Sequence, residues 1–287
     1  MAFGIYNYRK TGSGIKKGAP KKKAFFQFWE IFGAKFWKII GLNLIFLLFC
    51  IPIVTIGPAI AAMTHVMRKF ILGDPIFMFH EYMNAFKKNF RQSFIMGLID
   101  LPVATILLYN INAYAGMVTE ESDMGMKLVL AGSIAMGFVL IMMHFYIYPQ
   151  IIALNLSLVQ ILKNSFILMI AGFKRSFVAF FLWFVILSLL YLGLPLTVFL
   201  LPFIPCSWLC FISTFCVYPV IQKYIINPYY ESRGEKNPEN EFLETSEEAV
   251  FEDMGGSEAP TEIPREKSGK ERSAGSVKVR TKGKVIR

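Results

Sequence analysis

Charge is what this chain has least of, and its gaps are more telling than its total. Asp, Glu, Lys and Arg make up 17% of the 287 residues, against about 25% in a soluble domain. None occurs between Lys38 and Arg68, between Lys127 and Lys163, or between Arg175 and Lys223. A fourth stretch, from Arg91 to Glu120, contains one, Asp100. A helix crosses the ~30 Å hydrocarbon layer with ~20 apolar residues, so each gap has room for a span and the last for two. These absences exclude a soluble globular domain.

Histidine is nearly missing too: His65, His80 and His144 are isolated from one another, which argues against a histidine-based metal site. The four cysteines, Cys50, Cys206, Cys210 and Cys216, fall inside apolar segments with no acid or histidine beside them. They read as apolar packing. Also lacking are the Gly-x-Ser-x-Gly elbow, the His-Glu-x-x-His zinc motif, a Walker phosphate loop and paired carboxylates within the spans. No enzyme, metal or cofactor is expected. No cleavable signal peptide is read, because the first long apolar run begins near Phe36 behind a basic leader with no small-residue cleavage site after it.

What is present is apolar: 55% of the residues, with 28 Phe. The net charge of +10 could suggest nucleic acid. The bases flank apolar segments instead, as the positive-inside rule requires of cytoplasmic loops, so the expected partner is the bilayer. The predicted fold is an all-α polytopic membrane helix bundle with interfacial amphipathic helices and a disordered C-terminal tail. Residues 1–23 form a polar basic leader and 24–230 the membrane domain. Its first hydrophobic region covers 37–67, and further spans are predicted at about 93–115, 127–154, 176–196 and 205–226. Residues 24–36, 68–92 and the 163–175 stretch read as amphipathic segments at the interface. The tail, 231–287, places eleven acids in its first part, to residue 262, and nine bases after it. It lacks the apolar surface to offset ordering entropy.

Residues 1–38 contain nine bases and one acid, which places the N-terminus in the cytoplasm of a cell-membrane protein. The acidic loop around Glu120, Glu121 and Asp123 goes outside and the tail inside. The first hydrophobic region conflicts with this scheme, since both its ends look cytoplasmic. It is broken by Pro52, Thr55, Gly57 and Pro58, and proline removes a helical donor and clashes with the preceding turn. One reading is a broken hairpin or re-entrant element turning at Thr55-Ile-Gly57-Pro58. The other is a single kinked span with the N-terminus outside.

Asp100 is the sharpest candidate site residue, because a carboxylate inside a membrane costs on the order of 3 kcal/mol on insertion scales. His144 lies within ~5 Å of the same depth at 1.5 Å per residue, so the two can pair. They form either a proton or ligand site or a hydrogen bond between helices. Arg68, Lys69, Lys87, Lys88, Arg91, Lys174 and Arg175 are expected at the membrane interface. His65, Arg68, His80 and Glu81 read as headgroup contacts. Asn43 and Thr55 read as bonds from helix to helix.

Two short patterns recur. Tyr146-Ile-Tyr-Pro149-Gln-Ile echoes Cys216-Val-Tyr-Pro219-Val-Ile and, more distantly, Phe49-Cys-Ile-Pro52-Ile; Ala85-Phe-Lys-Lys-Asn-Phe echoes Gly172-Phe-Lys-Arg-Ser-Phe. Such echoes suit an internal repeat or coincidence in an aromatic-rich membrane chain.

The run Leu42-Asn43-Leu44 through Cys50-Ile-Pro52-Ile-Val-Thr55-Ile-Gly57-Pro58-Ala-Ile-Ala-Ala resembles the YesL-like family of bacterial membrane proteins, whose biochemical function is unknown. The leader Phe3-Gly-Ile-Tyr-Asn-Tyr8 and the stretch Ala85-Phe-Lys-Lys-Asn89-Phe-Arg-Gln-Ser93 share the resemblance, which covers about residues 1–230 and leaves out the tail. It implies an accessory role in carbohydrate or oligosaccharide uptake in a Gram-positive bacterium, with ABC-type sugar transporter subunits as partners. The alternative expectation is a small transporter or channel.

Overall fold

The computed structural model describes residues 24–119, 122–200, 202–235, 237 and 239. The leader expected over 1–23 lies outside the described residues, as does the tail beyond Glu239. Everything within them that is regular is helical: α1 Ala24–Cys50, α2 Ile56–Leu72, α3 Met78–Met117, α4 Met124–Ala153, α5 Leu158–Ala171, α6 Phe173–Leu192, α7 Pro205–Ile221 and α8 Asn227–Glu231. A π-helical turn, Gln222–Ile226, joins α7 to α8 without a break. Among the described residues, five helices are long and apolar enough to cross a membrane: α1, α3, α4, α6 and the continuous Pro205–Glu231. The class is an all-α, polytopic membrane bundle.

The first hydrophobic region is a hairpin. Cys50 ends α1, and Ile53–Thr55 make one 3-10 turn before α2. The Thr55 hydroxyl donates to the carbonyls of Phe49 (2.6 Å) and Pro52 (2.7 Å), which meets acceptors freed where the helix stops. Thr55 therefore ties the turn that leads into α2 to the last turn of α1. Pro58 sits in the first turn of α2, where a backbone N–H has no partner to lose. The turn lies one step earlier than the motif suggests, at Ile51–Thr55, and Gly57 belongs to α2. The arms run antiparallel: the Lys35 ammonium lies over the Phe70 ring at 5.8 Å, while Phe46 packs in one cluster with Ala59 and Met63.

Two amphipathic segments expected to stand apart from spans are continuous with them. The aromatic stretch from Ala24 is the first part of α1. The basic stretch ending at Gln92 runs into the following span, making α3 40 residues long, about 60 Å. No helix-breaking residue separates surface from span in either, so the helix runs on. The third amphipathic stretch does stand apart. A capping box of Ser157 and Gln160 starts α5, supplying two orphan donors with acceptors. Gly172 separates it from α6 because a Cβ there would lie 2.5 Å from the Tyr146 hydroxyl and 2.8 Å from Val220.

Successive major helices alternate in direction. α2 meets α3 through Lys69–Glu81 at one end and Gly57–Gly97 at the other. α3 meets α4 through Asp100–Tyr148 and Leu107–Gly137. α4 meets α6 through Tyr146–Ser176 and Phe138–Phe180. α6 meets α7 through Gly172–Val220 and Trp183–Leu209. Asn43 fastens α1 to the start of α7: its amide donates to the Pro202 carbonyl (2.8 Å) and its oxygen accepts from the Ser207 N–H (2.9 Å).

Packing is uneven. α2 and α7 are buried along most of their length. Beyond Gly97, α3 contains no buried residue, and before Met142 α4 buries Gly137 alone. In α6 the buried residues are Ser176 and Ala179. The bundle is dense at one end and open at the other.

Candidate functional site

Two polar constellations sit in this apolar frame, and each is built around a tyrosine that precedes a proline inside a helix. The first joins α3 to α4. The Tyr148 hydroxyl donates to Asp100 Oδ2 at 3.0 Å, and His144 Nδ1 lies 3.5 Å from the same oxygen. The His144 and Tyr148 rings meet edge to face at 5.1 Å. His144 and Tyr148 are four residues apart and so lie on one helix face. The structure thus brings the two sequence candidates together and adds Tyr148. A carboxylate bonded by a phenol with an imidazole beside it can hold and pass on a proton.

A cavity of about 200 Å³ adjoins this group. Its wall includes Phe46, Thr64, His144, Tyr148, Trp183 and Cys210. Its polar lining is already engaged: the Thr64 hydroxyl donates to the Ile60 carbonyl (2.8 Å), and the Trp183 indole to the Leu209 carbonyl (2.9 Å). Tyr148→Phe removes one bond to Asp100 without opening a void, and should lower stability by about 1 kcal/mol. In a double-mutant cycle with Asp100→Asn, followed by thermal unfolding in detergent, a coupling near zero would dissolve the pair.

The second constellation lies where the ends of α2 and α7 meet. Arg68 is buried, 8% exposed, and its guanidinium is engaged by side chains of the protein. Its Nε donates to the Tyr218 hydroxyl at 2.6 Å, and its Nη2 pairs with the carboxylate of Glu239. Glu239 Oε2 accepts from the Tyr218 hydroxyl at 2.6 Å and from Gln222 Nε2 at 3.0 Å. Nearby, Glu81 accepts from Lys69 at 2.8 Å and lies 3.3 Å from His65. Three of the four residues read as headgroup contacts are therefore engaged with side chains of the bundle, and His80 is exposed. Asp74, in the turn between α2 and α3, has its carboxyl pushed up by burial against the opposing pull of Lys69 and Arg68.

Lys87, Lys88, Arg91, Lys174 and Arg175 are exposed. Pro52 is exposed in the turn, and Gly57 and Pro58 are buried at the start of α2. Among the described residues, no group of three or more His, Cys, Asp or Glu is placed to hold a metal ion. Sequence reasoning missed Tyr148, Tyr218, Gln222 and Glu239. The signal for the two tyrosines was the repeated Tyr-Pro step, which marks both constellations.

With the bundle and its polar groups in place, comparison with known proteins adds one match. Residues 39–111, from Ile39 in α1 to Ile111 in α3, match the family model described as "Protein of unknown function, DUF624". The matched stretch contains the whole hairpin turn and the Gly57–Gly97 crossing. No curated protein and no solved structure matches the chain.

Proposed function

We propose that this chain is a non-enzymatic accessory protein of the cell membrane that docks on another membrane protein. The observation that carries the reading is the open end of the bundle, where long apolar stretches of α3, α4 and α6 have no covering helix. Small residues lie exposed there, among them Ala131, Gly132 and Ala135 on α4, and small residues let transmembrane helices approach closely. The family resemblance points to ABC-type sugar transporter subunits as the partner class. Pull-down from native membranes in mild detergent, read by mass spectrometry, is expected to recover permease or ATPase subunits. Recovery of the chain alone would sink the reading.

The second reading, a small transporter, rests on Asp100 beside the cavity. Against it, about 200 Å³ falls below the usual ~300–1,000 Å³ of ligand sites, and the cavity's lining is largely apolar. Substrate flux in proteoliposomes would favour this second reading.

In this proposal both termini face the cytoplasm. The alternation of α1, α2, α3, α4, α6 and α7 supports it, as do the exposed bases Lys87, Lys88, Arg91, Lys174 and Arg175. In a cysteine-free background on intact cells, Ser122→Cys should label with an impermeant maleimide and Ser13→Cys should not. The reverse pattern would invert the topology.

A further inference from the structure

Arg68, Tyr218 and Gln222 converge three donors on one point, and all three come from the helical bundle. Their occupant, the Glu239 carboxylate, comes from the beginning of the charged tail. It arrives on a short tether: Asn237 donates to Asn227 at 2.8 Å, and the Glu239 N–H donates to Asn237 at 3.0 Å. The receiving side belongs to the packed bundle. Tyr218 is 1% exposed, and Gln222 opens the π-helical turn, a helix irregularity frequent at functional sites. A buried guanidinium needs an anionic partner. If Glu239 leaves, another oxyanion must take its place or the bundle loosens.

We propose that Arg68, Tyr218 and Gln222 form a binding site for a singly charged oxyanion, a carboxylate or a phosphodiester, for which Glu239 is the tethered competitor. The present occupant, the Glu239 carboxylate, is singly charged, and Arg68 is the one cation among the three donors. A short tether gives Glu239 an effective concentration of the order of millimolar, so a free oxyanion competes at similar or higher concentrations. Occupancy then releases Glu239 from the bundle, which ties the exposure of that carboxylate to the ligand. The site stands whether or not the chain docks on a transporter.

The test uses the full chain in maltoside micelles. Glu239→Ala should lower the apparent melting temperature by about 5 to 10 °C. Formate at tens of millimolar should recover about half of that loss or more, while equal sodium chloride does not, and Arg68→Met/Glu239→Ala should not respond. Doping the micelles with phosphatidylglycerol, against diacylglycerol as the uncharged control, separates the sources. Recovery with the lipid alone names a headgroup phosphodiester as the ligand, and recovery with formate alone names a soluble carboxylate. Unchanged melting of Glu239→Ala, no recovery by either anion, or equal recovery in the double variant overturns the site. Should Glu239→Ala fail to fold, the wild-type chain still decides. Formate or phosphatidylglycerol should speed tryptic cleavage after Lys236 about threefold or more, and no acceleration by either overturns the proposal.

Discussion

Replacing Gly57 by alanine should force α2 away from α3 and strongly destabilise the protein. A Cβ at Gly57 would stand 2.1 Å from the Ser93 carbonyl oxygen and 3.0 Å from Gly97 Cα. Those obstacles are backbone, so no side-chain rotation relieves the clash, and the two helices must move apart. From the other side, a Cβ on Gly97 would lie 2.8 Å from Gly57 Cα. Gly57 and Ala61 face Ser93 and Gly97 as two small-x-x-x-small pairs, the arrangement by which helices in membranes reach closest approach. Overpacking costs about 1–3 kcal/mol where side chains can shift. Here they cannot, so about 3 kcal/mol or more is expected, out of a total stability of about 5–15 kcal/mol. Gly33 and Gly132 provide the control, because a Cβ at either meets nothing within 4 Å. Alanine there should be neutral or stabilising by up to about 1 kcal/mol. Size-exclusion profiles after graded heating compare the three, and a Gly57→Ala protein as stable as Gly132→Ala would refute the crossing.

Asn43→Leu should come next in severity. One fully buried amide serves both a donor and an acceptor at the entrance to α7. Leucine fills similar space but leaves the Pro202 carbonyl and the Ser207 N–H without that partner, where water has little access. Each orphaned group costs about 1–3 kcal/mol, which gives a total of about 2–6 kcal/mol and a lower apparent melting temperature in detergent. Asn112→Leu is the comparison. Its amide bonds the Leu108 carbonyl of its own helix at 2.8 Å on an exposed surface, and the change should stay within about 0.5 kcal/mol. Equal losses in the two variants would mean that Asn43 does not fasten α1 to α7.

The spans and the break were legible because both follow from one-dimensional facts: charge-free length and the chemistry of proline. Asn43 as a tie between helices was legible for the same reason, since an amide in an apolar run needs a partner. The role of Gly57 was not, because close approach depends on which residues of α3 face it, and Ser93 and Gly97 are some forty residues away. The partner of Arg68 was not legible for a related reason. A base beside an apolar run shows no partner until its acid is known, and that acid lies 171 positions further along the chain.

The two sequence echoes also gain physical content. In Ala85-Phe-Lys-Lys-Asn-Phe and Gly172-Phe-Lys-Arg-Ser-Phe the small first residue is buried and the basic pair exposed. The fifth residue bonds back to the first one's carbonyl, Asn89 to Ala85 at 3.0 Å and Ser176 to Gly172 at 3.1 Å. In both Tyr-Pro steps the tyrosine hydroxyl reaches a carboxylate, Asp100 in one and Glu239 in the other.

Pro102 and Pro149 lie inside α3 and α4, close to either end of the Asp100–Tyr148 contact. Each removes a backbone hydrogen bond, from the carbonyls of Leu98 and Phe145 respectively, and prolines are where helices bend. Mechanically, the open end of the bundle is a pair of forearms with adjacent elbows. The fifteen residue steps from Pro102 to Met117 span about 22 Å, so a bend of about 10° at the elbow swings the tip by about 4 Å. Asp100, on the near side of that elbow, scarcely moves. The Asp100–Tyr148 contact thus sits at the joint, where the least displacement governs the widest reach.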